Sequence, residues 1–94
     1  MYPNKALCPN WARESIDRYV QDGVPCGDFL TAVLGNDLKE AIGRADEDSL
    51  EALPHIVAYL YNDVPSNVWG SYEEVSAHIK KCQQERNQDE RSPN

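Results

Sequence analysis

The sequence predicts an all-α fold: a compact bundle of four to five short helices. Three observations predict it. Apolar residues recur at three- and four-residue steps along most of the chain, which is helix spacing. No stretch alternates apolar and polar residues long enough for a strand. The 94 residues suit one small domain, and 40% of them are apolar and clustered, as a core requires.

Residues 1–9, with Pro3 and Pro9, read as an irregular lead-in to a helical domain over 10–84. Asn10 is a good N-cap for the first helix, which runs to Gly23, a good residue just past a helix end. Ala12, Ile16, Tyr19 and Val20 form its apolar face. Arg13–Asp17 and Glu14–Arg18 are spaced for ion pairs on the outer side, each worth about 0.2–0.5 kcal/mol.

A second helical stretch follows the turn GVPCG. Leu30, Leu34, Leu38 and Ile42 repeat every four residues, with Val33, Ala41 and Ala45 alongside. Gly35 and Asn36 are where it could divide in two. DEDS at 46–49 opens the next helix, with Asp46, Asp48 or Ser49 as cap. Leu50, Leu53, Val57, Leu60 and Val64 form its stripe, with Ile56 beside it. Pro54 must either open a second helix or kink a single one. Ser71-Tyr72-Glu73-Glu74 fits a capping box for the last helix, whose inner face is Tyr72, Val75, Ile79 and Cys82. Residues 85–94 lack apolar side chains and read as a disordered polar tail.

Charge narrows the function. Sixteen acids against nine bases leave a formal charge of −7. Free nucleic acid and anionic membrane would be repelled, so neither is an expected partner. No apolar run approaches the roughly 18 residues of a membrane span, and the N-terminus lacks the apolar region of a signal peptide. The expected setting is an intracellular one in which Cys8, Cys26 and Cys82 stay free thiols.

No catalytic motif is present, so no enzyme is expected and no cofactor is called for. The turn at 23–28 has two glycines ahead of a helix but no nearby lysine, and Asp28 stands where an anion would bind. Cys26 near a helix start could be an activated thiol, yet only His55 and His78 could serve as its base. His78 and Cys82 share a helix face but make only half a zinc site. They read as a partly buried pair beside the core.

Two surfaces are candidate contacts. One is aromatic: Tyr59 lies opposite the apolar stripe and should face outward near His55, with Asn62, Trp69 and Tyr72 around it. Against this, Trp69 could plug the bundle end. The other is the acidic cluster Asp46, Glu47, Asp48 and Glu51, which could mimic nucleic acid.

The runs GVPCGDFLTAVL (23–34), NDL (36–38), GRAD (43–46), YLYN (59–62) and WGS (69–71) resemble a pattern common in small proteins of tailed phages and prophages. The likeness covers roughly residues 16–79; many such proteins have a second proline where Cys26 stands here. It implies an accessory phage protein in the host bacterial cytoplasm that acts by binding. The expected function is binding and modulating a host bacterial protein. Alternatives are an anti-CRISPR-type inhibitor working by acidic mimicry, a homo-oligomeric structural protein such as a homodimer, and a small-ligand binder at the 23–28 turn.

Overall fold

A computed structural model describes residues 3–91, with side chains described through Glu85. Its helices are α1 (Asn10–Asp22), α2 (Asp28–Leu34), α3 (Leu38–Arg44), α4 (Glu47–Asp63) and α5 (Tyr72–Arg91). Short 3-10 turns at Lys5–Leu7 and Ser66–Val68 precede α1 and α5. The fold is all-helical, and no strand occurs among the described residues. No helix there is long and apolar enough to cross a membrane. The tail expected over 85–94 overlaps the end of α5 and residues outside the described range.

Local chemistry sets most helix ends. Gly23 stops α1 in the left-handed region at φ 70°, donating its N–H to the Tyr19 carbonyl. Asp37 caps α3 by accepting the Glu40 N–H, Asp46 caps α4 through Ser49 N–H at 2.8 Å, and Ser71 Oγ accepts the Glu74 N–H at 3.1 Å. The start of α1 differs from expectation: Pro9, not Asn10, is the cap. Its carbonyl accepts from Ala12 and Arg13, and its fixed φ feeds the first turn. Asp28 stands inside the first turn of α2, after the cap residue Gly27, and its carboxylate pairs with Arg44 at 3.2 Å.

The long second stretch divides at Gly35–Asn36, where Asn36 takes φ 59°. The four-residue repeat therefore does not continue. Leu30 and Leu34 are buried, whereas Leu38 is 68% exposed and Ile42 44% exposed. After the break only Ala41 of α3 enters the core. Pro54 leaves α4 a single helix, although it removes the N–H that would bond the Leu50 carbonyl.

The core joins Ala12, Ile16 and Tyr19 of α1, Leu30, Val33 and Leu34 of α2, Ile56 and Leu60 of α4, and Val75 of α5. Tyr19 has no exposed surface. Its hydroxyl donates to the Val68 carbonyl at 2.6 Å, tying α1 to the turn before α5. The lead-in is part of this body: Cys8 is buried in the core, and Lys5–Leu7 packs on α4. Neither expected pair on α1 forms. The ion pairs that do form include Lys5–Asp63, Arg44–Asp28 and Arg44–Glu40.

Gly23 is the tightest point between α1 and α5. A Cβ there would lie 2.5 Å from Cys82 Cβ in a backbone conformation that disfavours side chains. Gly23→Ala should cost about 2–5 kcal/mol in urea unfolding, the sum of left-handed strain and overpacking. Cys82→Ala should not rescue it, because the contact is with the β-carbon that alanine keeps.

Candidate functional site

The aromatic residues expected to share an outward surface do not. Tyr59 is half-buried against the core, and its hydroxyl donates to the Asp17 carboxylate. The Arg13 guanidinium lies over its ring, 5.4 Å from the centroid. The α4 face that enters the core runs through Ile56 and Leu60, so Tyr59 turns inward at its edge. Leu50 and Val57, expected in the stripe, are exposed instead. These partners also explain why Arg13 and Asp17 do not pair with each other. Arg13 Nη2 donates to the carbonyls of Lys5 at 3.1 Å and Cys8 at 3.3 Å, clasping the N-terminal segment.

Trp69 is half-buried against the core, its indole N–H enclosed without a hydrogen-bond partner. It closes a small cavity of about 100 Å³ with Val33, Leu38, Ala41, Leu53 and Val57. Tyr72 packs on the break between α2 and α3, its ring so close over Gly35 that an added Cβ would sit 2.6 Å from it. Its hydroxyl donates to Asp37 at 2.8 Å, and this bond raises its pKa. Asn62 is exposed and donates to the Ala58 carbonyl one turn back. His55 Nδ1 accepts the Asn4 N–H at 3.1 Å, fastening the N-terminal segment to α4.

The cysteine and histidine candidates are structural. Cys26 Sγ is directed at the Ser15 carbonyl at 3.6 Å, and burial pushes its thiol up to about 11 from 9.0. A thiol so protonated is a poor nucleophile. His78 Nε2 lies 2.9 Å from the Tyr19 carbonyl and 3.1 Å from that of Val20. Carbonyls only accept, so Nε2 carries the hydrogen and closes the end of α1. The same nitrogen faces Cys82 Sγ at 3.6 Å and is not open to a metal. Among the described residues no three His, Cys, Asp or Glu side chains are grouped to hold one.

Asp46, Glu47, Asp48 and Glu51 are all exposed at the start of α4. Asp46 serves as the cap, and its hydrogen bonds with Ser49 hold its carboxyl below the usual range. Asp48 and Glu51 instead line a groove of about 500 Å³, with Ala52 and His55 on the same helix face. Leu7, Pro9 and Trp11 form the opposite wall. A second depression, of about 410 Å³ and nearly all apolar, lies among Pro3, Pro54, Val57, Ala58, Tyr61 and Asn62. Sequence reasoning missed Leu7 and Trp11, whereas Tyr61, in the aromatic segment 59–72, is exposed as that segment suggests. Trp11 sits one place off the Ala12–Ile16–Tyr19 stripe, and that offset was the available signal for an exposed aromatic.

Two measurements test these assignments. Cys26 should alkylate slowly at neutral pH, its thiolate fraction about a hundredfold below that of an unperturbed thiol, since its pKa is two units higher. Site-resolved mass spectrometry against pH reads this. Tyr19 and Tyr59 are both held at about 12 against the ordinary 10.0, mainly by burial and, for Tyr59, next by its bond to Asp17. The folded chain keeps these protons more tightly than the unfolded one. Their contribution to stability is thus complete below pH 10 and is lost as pH rises from 10 to 12. Tyr59→Phe should remove one late-titrating tyrosinate from the absorbance titration and flatten the stability loss in that window. Comparison with protein-family models, curated proteins and solved structures finds no match to this chain.

Proposed function

We propose that this chain is a small acidic accessory protein, of the tailed-phage or prophage kind, that binds a host bacterial protein and modulates it. The observation that carries the reading is the open groove at α4, where apolar side chains lie beside carboxylates. Leu7 is 60% exposed and Trp11 45% exposed, large apolar groups held in water next to Asp48 and Glu51. Exposed aromatics with a charged rim are the composition of protein interfaces. The net charge of −7 favours a basic partner. The raised Cys26 pKa and the engaged His78 favour binding over catalysis. The resemblance to phage proteins supports a bacterial cytoplasm as the setting.

The acidic first turn of α4 favours a second reading, in which Asp46, Glu47, Asp48 and Glu51 stand in for nucleic-acid phosphates on a defence complex, as an anti-CRISPR would. Salt separates the two. Mimicry should weaken steeply with ionic strength, and an apolar-anchored contact much less.

Affinity capture from bacterial lysate with the tag at the C-terminus tests the reading. The expected result is one dominant host protein at near-equal stoichiometry, retained by Cys26→Ser. A repeated blank, with self-association in light scattering, would replace the reading with a homo-oligomeric one.

A further inference from the structure

We propose that the groove between Leu7–Trp11 and the first half of α4 is a docking site for an arginine-bearing amphipathic segment of a partner protein. This rests on the reading of the chain as a protein-binding module and names what that module would hold.

The two walls differ in chemistry. Leu7, Pro9 and Trp11 offer apolar surface. Across from them, Asp48 and Glu51 are three residues apart on α4, so both carboxylates project from one helix face. Among the described residues neither forms an ion pair or a side-chain hydrogen bond. Four aspartates elsewhere are engaged: Asp17 by Tyr59, Asp28 by Arg44, Asp37 by Tyr72 and Asp63 by Lys5. The groove thus sets uncompensated negative charge beside an exposed indole.

Arginine matches both walls at once. Its stem and flat guanidinium can lie on Trp11 while its donor fork reaches a carboxylate. Lysine offers only a point charge, and an acidic or phosphorylated segment would be repelled. At about 500 Å³ the groove exceeds one side chain. It has room for an apolar neighbour on Leu7, which an amphipathic helix supplies one turn away.

The test titrates the full chain with a synthetic helical peptide of Leu, Ala and Arg, and with its counterpart carrying Glu for Arg. Amide shifts and tryptophan fluorescence report binding. The expected result is preferential binding of the Arg peptide, with shifts at residues 7–11 and 48–55. Asp48→Asn with Glu51→Gln should weaken it about tenfold or more, Trp11→Ala similarly, and Trp11→Phe should restore most of the affinity. Equal binding of both peptides would overturn the proposal. So would shifts confined elsewhere, wild-type affinity in the folded double variant, or concentration-dependent groove shifts without peptide, which would identify a second copy as the occupant. A host protein captured equally well by the double variant would overturn the groove assignment while leaving the module reading intact. Peptide binding at the groove, with no protein captured from any lysate, would support the site and overturn the module reading instead.

Discussion

Everything in this small bundle depends on Tyr19 being buried with its polar groups satisfied. A tyrosine in a core contributes large apolar area, but its hydroxyl must find an acceptor. Val68 supplies it at 2.6 Å, from a turn whose own side chain is buried in the same core. The Tyr19 carbonyl, at the end of the same helix, receives His78 of α5, and the two rings meet at 4.8 Å. One residue therefore holds α1, the Ser66–Val68 turn and α5 together. Gly23 lets α5 come close enough for this, since no side chain stands between it and Cys82.

A second cluster, around Arg13, does for the N-terminal segment what Tyr19 does for the helices. The guanidinium bonds two carbonyls of the segment and rests on Tyr59, which in turn bonds Asp17. Lys5–Asp63 and Asn4–His55 add ties directly to α4. Individually such exposed bonds are weak. Together with the buried Cys8 they convert a stretch with no regular helix into one wall of the candidate site.

The helical class, most helix ends and most core residues are legible in the sequence because they follow from local chemistry: spacing, capping side chains and a glycine in the left-handed region. Apart from the cap of α1, the failures are tertiary. The run Leu30–Leu34–Leu38–Ile42 keeps helix spacing across the break, so spacing alone does not reveal it. The break is held by Asp37, which caps α3 and accepts Tyr72, and by the Tyr72 ring lying over Gly35. Tyr59 looks outward on a helical projection, but Arg13 and Asp17, more than 40 residues away, draw it in. The candidate groove was half legible: Asp48, Glu51 and His55 stood out as charged or polar, whereas Leu7 and Trp11 acquire meaning only when the lead-in lies against α4.

That docking has a thermodynamic corollary. The groove has no complete form in a chain whose first residues have peeled away, because Leu7 and Pro9 leave with them. Site and segment are a single equilibrium. Whatever occupies the groove stabilises the docked segment, and the apparent affinity of any ligand is its intrinsic affinity scaled by the fraction of chains in which the segment is docked. The ties at Asn4, Lys5 and Arg13, remote from the carboxylates, are in that sense part of the affinity of the site.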